Sequence, residues 1–176
     1  MMRPLLRLHG LITDIGYLLA AAGLVGMGVL YCMEVVLRYF LHSPTRWSLE
    51  VITWLMLVGT FLAIPHAVRA GTHISVTLLA DLYPKQARRI LTAMNVIGTL
   101  LCGFIAWISW SENVAQYAGS IETIGNVPIP KWWLSAFITY GFGNSALWYA
   151  RLLFNGNDPI EPELPLLPKP GAGPLS

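Results

Sequence analysis

Four stretches of this chain are too long and too poor in charge to be the interior of a water-soluble fold. Residues 15–37 hold one charged side chain, Glu34, and residues 51–68, 90–111 and 132–150 hold none. A helix needs about 20 mainly apolar residues to cross a hydrocarbon layer about 30 Å thick. Inside lipid each backbone polar group must be satisfied within its own segment or in a closed barrel, and four isolated strands cannot close one. The expected fold class is therefore an all-α integral membrane protein with four transmembrane helices, at about 15–37, 50–68, 90–111 and 132–154. Composition agrees. Of the 176 residues, 55% are hydrophobic and 11% charged, whereas an ordinary soluble domain is about 25% charged. Eleven bases and nine acids cannot cover a soluble globule of this size, which argues against a cytoplasmic enzyme. A net charge of +2 with scattered bases leaves no nucleic-acid footprint.

The first span is longer than the ~7–15 residue core of a cleaved signal peptide, so it is expected to be retained, behind a short cytoplasmic segment of residues 1–14. Topology follows from the bases. Arg3, Arg7, Arg69, Lys85, Arg88, Arg89, Arg151 and Lys169 fall on one side of the four spans, against Arg38, Arg46 and Lys131 on the other. The excess of Lys and Arg marks the cytoplasmic side, with both termini inside. Tryptophans are expected at both interfaces: Trp47, Trp107, Trp110, Trp132 and Trp133 near the outer one, Trp148 with Tyr149 near the inner one. Residues 155–176 contain six of the twelve prolines and read as an extended, disordered cytoplasmic tail.

The polar residues within or beside the spans are the candidate functional groups. Glu34 and Arg38 stand four apart and can pair along one helix face; structural pairing, contact with a partner subunit and proton relay are all readings of an acid at a membrane helix. Its position, roughly 12 Å from the middle of its span by helical rise, disfavours proton relay. Among the acids, Glu34 and Glu50 lie nearest the spans, both toward the outer edge. Glu50 opens the second span, where it complements the helix dipole with Ser48 as the expected cap, and Trp47 precedes it. Ser135, Thr139 and Gly143 recur every four residues on the last span and let another helix approach, inside this unit or from a partner. Asn144 needs a partner for its amide there. Gly16 with Ala20, and Ala22 with Gly26, offer the same small-residue spacing on the first span. Pro65 should kink the second span. Residues 112–131 form an outer loop of about twenty residues, carrying Gln116 and Glu122, and loops of that length tend to be functional.

Between spans two and three, Ile74, Leu78 and Leu82 recur every four residues, which predicts a short in-plane amphipathic helix over 73–83. Bis-histidine haem is not expected, because His9 and His73 fall inside, His42 outside and His66 at the cytoplasmic end of span two. Cys32 and Cys102, at different depths, are expected to be buried free thiols. Without a nucleotide-binding glycine loop, a nucleophile–base pairing or zinc spacing, the chain offers no support for catalysis, and no cofactor or metal is expected.

An ordered set of residues resembles the small membrane subunit of tripartite ATP-independent periplasmic (TRAP) transporters, the DctQ-like family. Arg38-Tyr39-Phe40 closes span one and Trp47-Ser48-Leu49-Glu50 opens span two. Then come Arg69, Gly71, His73, Ile74 and Val76 in the string Arg-x-Gly-x-His-Ile-x-Val, followed by Leu82-Tyr83-Pro84 and Arg88, and by Val127-Pro128-Ile129-Pro130 before span four. The family often carries two adjacent acids after the tryptophan and an acid after the valine of the string; here Leu49-Glu50 and Thr77 stand there. The roles of those acids do not carry over. The resemblance implies a non-catalytic scaffold that holds a large, many-spanning membrane subunit. That subunit would import an organic acid anion, handed over by a periplasmic binding protein and driven by a sodium gradient. The alternative from the residues alone is an autonomous proton-coupled exporter with Glu34 as its carrier acid.

Overall fold

The computed structural model describes residues 2–43, 45–70 and 86–155, and among these the chain is all-helical apart from one isolated strand bridge. There are four helices: α1 Met2–Tyr39, α2 Ser48–Arg69, α3 Ala87–Ala118 and α4 Lys131–Phe154. Three of them, over Leu6–Tyr39, Ser48–Arg69 and Arg88–Ala118, are long and apolar enough to cross a membrane. The fourth, with 24 residues, is long enough by helical rise but more polar, since Ser135, Thr139, Tyr140, Asn144 and Ser145 punctuate it. The in-plane helix expected over 73–83 and the proline-rich tail beyond Asn155 lie outside the described residues.

Two elements run further than hydropathy alone suggested. Helix α1 starts at Met2, so residues 2–14 continue the first span as one helix of 38 residues. The loop expected over 112–131 is shorter, because α3 continues to Ala118 and the connection is 119–130. Helical backbone does not stop where hydrophobicity stops; Glu112, Asn113 and Gln116 remain in the helix with their polar ends available to water or to partners. A turn at Gly119 and Ser120, the latter in the left-handed region at φ 48°, ends it.

The helices pack in the order α1, α2, α4, α3, with α2 between α1 and α4 and with α3 on the far side of α4. Close approach is bought by small residues. A Cβ on Gly141 of α4 would stand 2.7 Å from the Phe61 carbonyl oxygen of α2, so only glycine permits that spacing. Beside it Phe61 and Phe142 pack at 5.6 Å between ring centroids. A Cβ on Gly16 of α1 would meet the Tyr140 hydroxyl at 3.1 Å, and Gly98 of α3 sits 3.0 Å from the Tyr149 ring by the same measure. The buried positions of α4, at Gly141, Asn144, Ser145, Trp148 and Leu152, recur at spacings of three and four, which is one face of a helix. With Val68, and flanked by Ile64 and Tyr149, Trp148 and Leu152 form the apolar core, at the end of the bundle where α1 begins and α2 and α4 finish. Elsewhere apolar side chains face outward, notably on α3, from Ile97 and Leu100 to Phe104 and Trp107.

Candidate functional site

At the end holding the core, α1, α2 and α4 meet through a buried polar cluster. Asp14 of α1 and Arg69, the last residue of α2, form an ion pair, and both are buried, at 0% and 1% exposure. Arg69 also contacts His66 Nδ1 at 3.0 Å and donates to the Gly10 carbonyl. Its guanidinium lies 5.2 Å from the Trp148 ring centroid, and that of Arg151 lies 4.2 Å from it. His9 stacks on the same indole at 4.6 Å, its Nε2 bonded to Asn144 Oδ1 at 2.5 Å and its Nδ1 to Arg151 at 2.9 Å. The Thr13 hydroxyl accepts from Trp148 Nε1 at 2.8 Å and from Asn144 Nδ2 at 3.1 Å, and donates to the His9 carbonyl. Tyr17 stacks on His66. A charge or amide taken out of water is costly unless it is paired, and here the members supply one another's partners. With both ring nitrogens of His9 engaged in these contacts, the cluster is built as a structural hub.

At the opposite end two carboxylates tie loops to helices. Glu34 is buried; its Oε1 accepts from Arg38 at 2.9 Å, while Oε2 accepts from the Thr45 backbone and hydroxyl and from the Ser48 hydroxyl at 2.8 Å. It thereby closes the 40–47 connection onto α1. Glu50 accepts from the backbone N–H groups of Asn126 at 2.8 Å and Val127 at 3.1 Å, and from the Asn126 side chain, which also donates to the Arg46 carbonyl. The carboxylate leaves no room for a larger residue at Gly125, whose Cβ would stand 2.8 Å from its oxygens. The loop it grips is a small hairpin: Thr123 N–H donates to Ile129 O, Lys131 N–H donates to Ile121 O, and Glu122 bridges Pro130. Ile124 at its tip is fully exposed.

Glu34 pairs with Arg38 as its spacing suggested. Ser48 is not a helix cap: Trp47 occupies that position without a side-chain bond, and the Ser48 hydroxyl is drawn to Glu34. Trp47 itself is exposed. Ser135, Thr139 and Gly143 face α3, where Ser135 donates to Gln116 Oε1 at 2.6 Å, Thr139 shares a hydrogen bond with Ser109, and Gly143 looks toward Ala106. That register is used inside the unit. Asn144 belongs to the buried hub, and Glu122 to the exposed hairpin. Of the motif string Arg69 is described and buried, while Gly71, His73, Ile74 and Val76 lie outside the described residues.

Three further expectations need correction. Trp148 is not an interfacial anchor but the buried centre of the hub, because its indole N–H has a partner in Thr13 and its two faces meet cations and His9. Cys32 is free but exposed, on an outward face of α1. Glu34 and Glu50 are not alone among the acids near the spans, since Asp14 lies within α1. Sequence reasoning overlooked Asp14 and Thr13 and weighed His9 only as a haem ligand, for all three precede the apolar run. The available signal was a four-residue recurrence, His9 and Thr13, leading into that run on a potential helix.

These features define a class: a helical membrane protein whose polar side chains knit its own helices together. The comparisons define it more narrowly. Residues 27–156 match the family described as tripartite ATP-independent periplasmic transporters, DctQ component, and the chain belongs to that family. A Haemophilus influenzae (strain Rd) protein whose name gives it as a TRAP transporter small permease is 28% identical over 96 residues, covering 52% of this chain. The match spans 60% of that relative's length.

Proposed function

We propose that this chain is the scaffold subunit of a TRAP importer in a bacterial inner membrane, with four spans and both termini cytoplasmic. It holds a large many-spanning subunit that moves an organic acid anion together with sodium, and a periplasmic binding protein delivers the anion to the outer face. The observation that carries this reading is the saturation of the polar groups. Among the described residues no buried side-chain nitrogen or oxygen lacks a hydrogen-bond partner, and the acids Asp14 and Glu34 are committed to bonds within the chain. A carrier needs a site that can take up and release its ion; a scaffold needs rigidity and an outer surface on which to be held. Glu34, ligated at both oxygens, is poorly suited to the carrier role of the exporter alternative. Gly23, Gly26 and Gly28 add to the scaffold reading, since an added Cβ at each meets nothing within 4 Å, which leaves room for another helix to approach α1 at those positions.

The test is reconstitution. The chain alone in proteoliposomes should transport no organic acid under a sodium or proton gradient. Together with a large TRAP membrane subunit and a binding protein, it should support sodium-driven uptake that is lost when it is omitted. Transport by the chain alone would overturn the proposal.

A further inference from the structure

The seam between α1 and α4 is polar, and its bonding fixes where each hydrogen lies. Thr13 has one hydroxyl hydrogen, which goes to the His9 carbonyl. The buried Thr13 oxygen then accepts, from Trp148 Nε1 and from the Asn144 amide nitrogen at 3.1 Å. That orients Asn144 so that its oxygen faces His9 Nε2 at 2.5 Å. An amide oxygen only accepts, so Nε2 carries a hydrogen. On the other side of the ring Arg151 Nη1 stands 2.9 Å from Nδ1, and a guanidinium only donates, so Nδ1 is bare. His9 is thus held as a neutral imidazole in one tautomer.

The other polar contacts across the seam hang on that arrangement. Arg151 also donates to the Leu6 carbonyl, and the Tyr140 hydroxyl donates to the Ile12 carbonyl while accepting from Asn144. A proton on Nδ1 would replace an accepted bond by two cations in contact. Among the described residues no carboxylate contacts His9, since Asp14 is paired with Arg69. Arg69 of α2 lies against the same indole as His9 and adds to the repulsion. Arg7 on α1 is exposed, and Trp110 and Asn113 of α3, which line the cavity between α1 and α3 with His9, carry no charge. His66 of α2 differs. Its Nδ1 also faces Arg69, at 3.0 Å, but the Asp14 carboxylate stands 3.8 Å from the same nitrogen and can balance a proton there. The hold of α1 on α2 does not depend on His9, because it rests on the Asp14–Arg69 pair and on the approach of Gly16 to Leu62 and of Gly59 to the Ala20 carbonyl.

We propose that His9 is a proton-sensitive latch: neutral, it fastens the opening turns of α1 to α4, and protonated, it releases them while α1 stays on α2. The latch is independent of the scaffold reading and can fail while that reading stands. A free imidazole titrates near ~6.5. An open form that takes up the proton and a latched form that excludes it therefore shift in ratio about tenfold between pH 7.5 and 5.5. The hold is full above about pH 6.5 and weakens below it.

Amide hydrogen exchange of the full chain in detergent micelles reads the opening, followed by mass spectrometry and corrected for the intrinsic pH dependence of exchange. Protection over residues 8–13 should fall about tenfold from pH 7.5 to 5.5, with that over residues 55–65 of α2 unchanged. His9→Gln, uncharged at both pH values, should abolish the difference, and His66→Gln should keep it. Unchanged protection in the wild-type chain, an equal fall over residues 55–65, a fall that persists in His9→Gln or one that disappears in His66→Gln would overturn the proposal. Histidine NMR on the wild-type chain gives a readout free of any variant. The His9 ring should take up its proton over the pH range in which protection falls, and a ring that stays neutral through that fall would overturn the latch as well.

Discussion

The Asp14–Arg69 pair gives the sharpest test of how this protein is held together. Both side chains are withdrawn from solvent, so removing one partner leaves a charge buried without its counter-ion, a change that typically costs about 3–5 kcal/mol. Replacing Arg69 also removes the guanidinium from the Trp148 ring, a contact of about 0.5–2 kcal/mol. Arg69→Met and Asp14→Leu should each therefore destabilise the chain by several kcal/mol. The double variant removes both charges and leaves apolar groups of similar reach, an exchange that is often near neutral. The coupling between the two sites should be at least about 2 kcal/mol, well above the ~0.5 kcal/mol within which independent sites add. Equilibrium unfolding in mixed micelles, followed by tryptophan fluorescence, measures it, since Trp148 sits against the pair. Simple additivity of the two single losses would refute the argument that the pair stabilises α1 against α2 as a unit.

Other positions make separate predictions. Glu34→Gln replaces an acceptor of four hydrogen bonds by an amide with one oxygen; it should cost about 1–3 kcal/mol in the same unfolding assay while leaving uptake by the reconstituted transporter within twofold. Loss of transport at unchanged stability would favour the exporter reading. Gly125→Val collides with the Glu50 carboxylate and should release the hairpin, seen as faster proteolytic nicking within residues 119–130; an unchanged nicking rate would mean that the clasp does not hold the loop. Gly141→Ala should destabilise by about 1–3 kcal/mol through overpacking against Phe61. Gly26→Ala, with open space around it, should be neutral or stabilise by up to about 1 kcal/mol. Equal effects at the two glycines would contradict the packing described.

Helices are local objects in this protein, and so were readable. Apolar runs long enough to cross a bilayer announced α1, α2 and α3 from residue composition alone, and the four-residue spacing of Glu34 and Arg38 placed their pair correctly. The errors came where a residue's fate depends on what stands opposite. Trp148 has the sequence context of an interfacial anchor, yet it is buried, because Thr13 and His9 of α1 arrive beside it. The Ser48 hydroxyl left the capping role for a carboxylate fourteen residues away.

The chain's own sequence determined that it is helical, apolar along its helices and a relative of TRAP small subunits, since length, hydropathy and ordered motifs are properties of contiguous residues. Tertiary structure alone decided which acid meets which base, that Glu50 holds the outer hairpin and that α4 keeps one side open between α1 and α3. The physical reason is that a buried charge or amide takes its partner from whichever helix face is packed against it. That choice is made by close approach at glycines such as Gly16 and Gly141, between residues far apart in the chain.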